Sequence, residues 1–457
     1  MDKHAWLNKL ESRTPLFDNI PTVGWKRIMG TESEYGVQNT LVDGKQVIDS
    51  DKLPMMLRNG GEVYEDCGHV EYASPETSNP AAAVAYYEAG KVWCWNEQYS
   101  PALFCHNNDW NGNTFGAHEN YFTYAARSEW HRLIPFLIAR TAFCGAGWLN
   151  NGNCFEISQR AHAIQCAKDS NTTTNRPIIN MRDEPLAKMP GHHRLHIICG
   201  DATMSEVATF LRLGATSCMV EMLEMGALPR IEYSEICASD DMKSVSRMDW
   251  ILRGVSSGPR NALEILSLYY TRATELFSHR DAVTDAVLAV WEDTVNKLAI
   301  EPLLLWRRLD WVAKLFLLRF FKEHENSEPT SDMLRSQDMA YHNLNPAEGL
   351  YYHLAQAGEM ERVVSDVCII HAAHEPPRDT RAYARGKVVQ LLEDRGGHKV
   401  LCANSWDKLS MVDGAARGFP RVMREPKPRA YLSLPMPNPR KTYAHLIERV
   451  QKEFFRV

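Results

Sequence analysis

Glu32, Glu34, Tyr64, Asp66 and Glu71 form the densest set of chemically capable side chains in the sequence. Side chains alternate along a strand, so Glu32 and Glu34 share one face of the stretch leading into Tyr35-Gly36. By the same period of two, Glu62, Tyr64 and Asp66 share a face of a second strand at about 60–66. Carboxylates gathered at adjacent strand ends repel one another unless cations sit between them. Hard divalent ions such as Mg²⁺ take oxygen ligands of this kind and usually hold phosphates at the same time. Taken singly, the same acids serve equally well as solvated edge-strand residues or helix-cap partners.

A second polar group accompanies them. His118 and Asn120 face one way in the run His118-Glu119-Asn120-Tyr121, and His106-Asn107-Asn108-Asp109 closes another strand. A neutral His orients a phosphate or accepts a proton. Arg160, Arg176, Arg182, Arg194 and His196 add cations. The guanidinium fork matches phosphate oxygens, although each of these arginines is as readily one half of a structural salt bridge, Arg182 beside Asp183-Glu184 included. The chain has no GxxxxGK[ST] loop, no GxGxxG turn after a strand, no HExxH and no GxSxG. Any ATP site therefore uses neither a P-loop nor a Rossmann turn. An acidic, antiparallel, metal-lined site with arginines is instead the glutamine-synthetase type of design, in which ions clamp the γ-phosphate while a carboxylate attacks it.

The elements that must position these groups follow from periodicity. Strands are expected near 26–36, 60–66 and 69–72, then at 101–107, 114–121, 154–159, 176–181 and 194–200. Asn79-Pro80 predicts a helix start, with Asn as cap and Pro at the first helical position. From Thr203 the period becomes helical, with Thr203 and Glu206 read as a capping box. Leu263, Leu266 and Tyr270, then Val287, Val290, Trp291 and Leu298, mark two amphipathic helices. Trp311–Phe321 reads as a buried helix. The class is α+β: a large antiparallel sheet backed by helices, with a small C-terminal domain. The expected divisions are an N-terminal extension at 1–24, a catalytic domain at 25–378 and the C-terminal domain at 379–457, after the Pro376-Pro377 pair.

With 457 residues, 44% hydrophobic and 24% charged, the chain is long enough for a large core and is neither disordered nor fibrous. A net charge of −6 gives no basic excess, so no nucleic-acid partner is expected. The first residues lack the apolar run of a secretory signal. Leu133–Trp148 is the most apolar stretch, but Arg140 interrupts it, which points to a core segment and against a membrane span. The 11 cysteines are dispersed with no CxxC pair, as expected of core fillers in a reduced, cytoplasmic protein.

Several runs carry a specific resemblance. Met29-Gly30-Thr31-Glu32-Ser33-Glu34-Tyr35-Gly36-Val37, Leu57-Arg58-Asn59-Gly60, His118–Tyr121, Ile157-Ser158-Gln159-Arg160, Arg176–Pro185, Arg194–Asp201 and Asp379–Gly386 resemble the Pup ligase/depupylase (PafA/Dop) family, in order, over roughly residues 25 to 410. The resemblance implies a glutamine-synthetase-like core with a small C-terminal domain, and the use of ATP and Mg²⁺. It implies a Pup-like protein modifier and its protein targets as partners, with ligation of the modifier to lysine, or its removal and deamidation. It places metal ligands at Glu32, Tyr64 and Glu71, and catalytic roles at Asp66, His118 and Arg160. Nucleotide contacts fall at Ser74, Arg194, His196, Arg381 and Trp406. The chain departs from the family pattern at Glu62, where the family has an arginine. His69-Val70-Glu71-Tyr72 stands for His-Pro-Glu-Tyr, and about 20 residues separate Val37 from Leu57 where depupylases carry a long loop. Two other readings stay open: a phosphotransferase of the same fold with a small or unrelated acceptor, and an inactive binding homologue.

Overall fold

The computed structural model describes residues 3–23, 27–37, 41–42, 45–46, 55–96, 102–182, 189–324, 330–394, 400–401, 406, 408–411 and 432–454. Its centre is a nine-stranded sheet. In chain order the strands are β1 (Met29–Val37), β2 (Met55–Met56), β3 (Glu62–Asp66), β4 (His69–Ala73), β5 (Leu103–Phe104), β6 (Ala117–Thr123), β7 (Cys166–Asp169), β8 (Pro177–Asn180) and β9 (His193–Ile197). Across the sheet the order is β7-β8-β9-β6-β1-β4-β3-β2, with β5 pairing the far end of β1. Every pair is antiparallel except β7–β8, which is parallel.

The expected α+β class holds, and each anticipated strand region contains a strand. Four of them are shorter than their apolar runs: 103–104, 155–156, 177–180 and 193–197. The short Phe155–Glu156 strand pairs only with Trp148–Leu149, outside the main sheet.

β1 alternates between buried and half-buried residues, because one face meets the helical core and the other is open. Met29, Thr31, Ser33 and Tyr35 point inward, and Gly30, Glu32 and Glu34 lie on the opposite face. Behind the inward face lies the helix Pro80–Asn96, starting where Asn79-Pro80 predicts. The Asn79 Oδ1 accepts the Ala82 N–H at 2.9 Å. This helix approaches β4 so closely that a Cβ on Gly90 would lie 2.2 Å from the Tyr72 ring, so only glycine fits. Further back are the helices Glu206–Glu224, Ala262–Phe277 and Ala282–Ile300, whose apolar faces join one core with Trp130, Trp291 and Trp311 at 0% exposure. Full burial of a large apolar side chain contributes roughly 1.5–3 kcal/mol, so these tryptophans anchor the layer.

Residues 133–149 are buried throughout, as a core segment must be. Arg140 is compensated there by Glu119, with Nη2 donating to Oε1 at 2.6 Å. No described helix is long and apolar enough to cross a membrane.

Two expectations are corrected. The helix beginning at Glu206 is capped by Ser205, whose Oγ accepts the Ala208 N–H at 3.2 Å, and not by a Thr203–Glu206 box. Thr203 bonds Thr209 at 2.7 Å, and buried Glu206 accepts from the Val363 and Val364 N–H groups and from Arg362. A distant backbone turn with orphan donors outcompetes the local cap. The helix Asp310–His324 is buried over Asp310–Lys314 and again at Leu318, while Phe320 is 52% exposed. The N-terminal arm is packed: Trp6, Leu10, Leu16 and Phe17 all join the main core. A separate small core gathers Ala384, Val388, Leu392, Leu434, Met436, Leu446 and Val450 from the C-terminal segment.

Candidate active site

Strand register sets the site. Glu34 and Tyr64 both stand opposite Glu71, Glu32 stands opposite His118, and Asn120 stands opposite His196. The open face therefore carries one row of side chains running from β3 to β9. It passes Asp66 and Tyr64, Glu71, Glu34 and Glu32, His118 and Asn120, then Arg194 and His196.

The row divides into two clusters. In the first, Glu32 Oε1 accepts from Arg194 Nη2 at 2.7 Å, while Oε2 lies 3.2 Å from His118 Nδ1 and 3.4 Å from His196 Nε2. Arg194 Nε is fixed by Asn120 Oδ1 at 2.6 Å. Burial opposes ionisation of Glu32, but Arg194 and the two imidazoles outweigh it and hold the carboxyl well below the usual range. Burial, reinforced by Arg194, pushes the His196 imidazole down to about 3, so it is neutral at physiological pH.

In the second cluster, Glu34, Asp66 and Glu71 each offer an oxygen within 4.8 Å of the others. Tyr64 donates to Glu71 Oε1 at 2.5 Å. Burial, then the charges of Glu32 and Glu34, push the Glu71 carboxyl well above its ordinary value. Burial and Glu71 likewise keep the Tyr64 phenol protonated. Asp66 is exposed at the end of β3, before a turn in which Cys67 (φ 50°) and Gly68 (φ 89°) are both left-handed.

A cleft of about 590 Å³ adjoins the first cluster, lined by Gly30, Ser74, Asn120, Arg194, Arg381 and Trp406 among others. Ser74 lies in its wall, but its hydroxyl is shared with the backbone: it accepts from Thr31 N–H at 2.9 Å and donates to the Pro75 carbonyl at 3.2 Å. Trp406 is held face-on to Arg385, whose guanidinium carbon is 4.5 Å from the ring centroid. At the other end of β1, a larger cleft of about 1270 Å³ is lined by Gly36, Val37, His106, Trp110, Phe115 and Arg335 among others.

The sequence-derived site residues thus fall in three places. Glu32, His118, Arg194 and His196 meet in the first cluster, and Tyr64, Asp66 and Glu71 in the second. Ser74, Arg381 and Trp406 line the smaller cleft. Arg160 lines neither cleft; it is buried and donates to the Phe115 carbonyl. Burial lowers the proton affinity of its guanidinium, with Glu34 opposing. The expected ligand trio is divided, because Glu32 is taken up by Arg194 and the histidines while Glu71 associates with Glu34 and Asp66. Glu76, the hub that joins Arg381 and Arg385 at the cleft, escaped the sequence reading. Its partners lie some three hundred residues away, and no local pattern signals such a pair.

The fold that carries this site is also found in solved structures. Over 93% of this chain and 91% of the other, the fold matches the ligase PafA in its complex with the prokaryotic ubiquitin-like protein Pup (TM-score 0.77, 26% identity). A structure of PafA with ADP matches with a TM-score of 0.75 at 26% identity, over 90% of this chain and 91% of that one. A depupylase of Acidothermus cellulolyticus is 35% identical over 407 residues, 82% of this chain and 79% of its own. A Pup–protein ligase of Kineococcus radiotolerans is 32% identical over 438 residues, 86% and 95% of the two chains. The family model described as Pup-ligase protein matches residues 42–410. The chain belongs to this family of ATP-dependent enzymes.

The donor chemistry fits a hard divalent cation. Glu34, Asp66 and Glu71 offer only oxygen atoms, and the raised Glu71 carboxyl marks an excess of negative charge that a cation would relieve. Glu32→Gln is expected to weaken Mg·ATP binding by about tenfold or more, because it strips charge from the acidic row and leaves Arg194 without its anion. Titration calorimetry with the melting temperature as fold control checks this. Wild-type affinity in the variant would contradict a role for Glu32 in nucleotide binding, and ATP affinity unchanged by excess chelator would contradict a metal in the acidic row.

Proposed function

We propose that this chain is an ATP- and Mg²⁺-dependent enzyme acting on a Pup-like protein modifier. It either joins the modifier's terminal carboxylate to a lysine of a protein target, or releases and deamidates the modifier by hydrolysis. The observation that carries the reading is the course of β1. Its Gly30–Glu32 segment lines the smaller cleft, and Glu34, one step on, stands with Asp66 and Glu71. A nucleotide in the cleft would therefore end beside the carboxylates. The relatives support the class of chemistry, since they are named as ligase and depupylase, and PafA has been seen with ADP and with Pup.

Arg194, fixed by Asn120, presents a guanidinium in the cleft wall where phosphate oxygens would lie. Neutral His196 lies beside Glu32, and His118 Nδ1 contacts the same carboxylate. Asp66, exposed and ionisable at the strand end, takes the proton from an incoming amine in ligation. In hydrolysis it activates water or attacks directly. Mg²⁺, held by Glu71 and Glu34 with Glu32 and Tyr64 adjoining, would supply charge neutralisation for the transferring phosphoryl group and leave Asp66 to act on the acceptor. Residues 379–457 act as a small C-terminal domain closing the cleft through Arg381 and Trp406. The ten described cysteines are free thiols, in keeping with a reducing, cytoplasmic setting.

The test is incubation with γ-labelled ATP and Mg²⁺, a modifier ending in Glu or Gln, and a lysine-bearing acceptor. Label passing through the modifier's carboxylate with isopeptide formation identifies ligation. Release of modifier from a preformed conjugate identifies hydrolysis. Label arriving on a small acceptor instead would replace the proposal with phosphotransfer, and nucleotide binding with no turnover of any substrate would leave only a binding homologue.

A further inference from the structure

The cleft has two walls of different origin. One is the sheet, from β1, β4, β6 and β9; the other is the C-terminal segment, which contributes Arg381, Trp406 and Pro439. The two are fastened at Glu76, just beyond β4. Glu76 Oε1 accepts from Arg381 Nε at 2.5 Å, and Oε2 accepts from Arg385 Nη2 at 2.5 Å. Both guanidiniums are buried, and burial disfavours the Glu76 charge, yet the two arginines bring its carboxyl down to about 2. Arg385 carries the connection onward. Its Nε donates to the Gly60 carbonyl at 2.7 Å, and its guanidinium lies against the Trp406 ring. Arg381 in turn donates to the Met436 carbonyl at 3.2 Å.

Two contacts alongside brace the joint: Thr380 Oγ1 donates to the Glu76 carbonyl at 2.8 Å, and Ser78 donates to Asp379 at 2.6 Å. Gly60 is the point of closest approach. It is left-handed (φ 83°), and a Cβ there would lie 2.7 Å from the Ala382 carbonyl oxygen, at the start of the helix Ala382–Asp394.

We propose that Glu76 is a positioning residue that fastens the C-terminal segment to the sheet, so that nucleotide binding and docking of Arg381 and Trp406 are a single coupled equilibrium. Both Glu76 oxygens are taken by arginines, so it acts on the nucleotide through them. Without its charge, two buried guanidiniums sit side by side lacking their shared anion, and the wall they support loosens. By linkage, whatever loosens the wall weakens the nucleotide, and the nucleotide must in turn hold the wall closed. The proposal rests on the cleft being the nucleotide site.

The experiment uses the full chain, with Mg·ATP affinity from calorimetry, kcat and KM, and limited proteolysis with and without Mg·ATP. In the wild type, Mg·ATP should slow cleavage within 382–454. Glu76→Gln should raise Kd and KM for Mg·ATP about tenfold, inside the usual range for coupled equilibria, with little change of kcat at saturation. Its proteolytic protection should appear only at correspondingly higher nucleotide. Gly60→Ala, which leaves the ion cluster chemically intact but pushes on Ala382, should show the same pattern, and it decides the matter if Glu76→Gln does not fold. Wild-type affinity in a folded variant, or cleavage in the wild type that ignores saturating nucleotide, overturns the proposal alone. Absence of Mg·ATP binding in the wild type overturns the nucleotide reading, and the proposal with it.

Discussion

Asp66→Asn is expected to bind Mg·ATP nearly as well as the wild type while losing turnover by two or more orders of magnitude, since a general base contributes roughly 10²–10⁴ in rate. The substitution keeps the size of the side chain and removes its charge and basicity. Asp66 is the exposed member of the acidic trio, placed at the end of β3 by the Cys67-Gly68 turn, whereas Glu71 is buried and bonded to Tyr64. It is therefore the carboxylate most open to an acceptor arriving from solvent. Ligation, hydrolysis and phosphotransfer all require a group in this position, to take a proton, attack, or orient the acceptor. Single-turnover kinetics with calorimetry separate chemistry from binding. Near-normal turnover with intact binding would show that the reaction runs on another carboxylate, Glu34 first.

The second large effect concerns stability. Glu119→Gln is expected to cost about 3–5 kcal/mol, the usual range when one partner of a buried ion pair is removed. Glu119 is 0% exposed on β6. It accepts from Arg140 at 2.9 and 2.6 Å and from the Tyr121 hydroxyl at 2.7 Å. Burial opposes its charge, but Arg140 and Arg212 prevail, so its carboxyl lies below the ordinary value in the folded protein. A depressed carboxyl stabilises the fold above its unfolded pKa, and that increment is lost as pH falls through the folded value. Urea unfolding at neutral pH should show the full loss in the variant. The gap between variant and wild type should narrow as the buffer is taken into the acid range. A loss below about 1 kcal/mol at neutral pH would mean that Arg140 finds adequate partners in Thr216 and the Arg212 carbonyl.

What the sequence reveals here depends on how local the determining interaction is. The face shared by Glu32 and Glu34, and that shared by Tyr64 and Asp66, follow from the period of two, and the register confirms both. The helix after Asn79-Pro80 is equally local. The Ser205 cap displaces the Thr203 box because Glu206 is claimed by the 363–364 backbone, far along the chain. The exposed end of the Asp310–His324 helix cannot be read from apolar content, since burial depends on what packs against it. At the site, residue types and their sharing of a face were legible, but the division into two clusters was not. That division is set by Arg194 reaching Glu32 across β6, a pairing fixed by strand order. The expected pairing of Arg182 with Asp183-Glu184 falls on acids that lie outside the described residues.

Because β1 lies at the middle of the sheet, with β4 on one side and β6 on the other, alternate residues along it answer to different demands. Thr31, Ser33 and Tyr35 are constrained by packing, and Gly30, Glu32 and Glu34 by chemistry, which leaves the strand little freedom to vary. Change is better tolerated in the wider cleft beyond Val37, where Trp110 lies in a loop and Arg335 on the separate helix Ser331–Tyr341. Diversification there can reshape that cleft while the strand that carries Glu32 and Glu34 stays fixed.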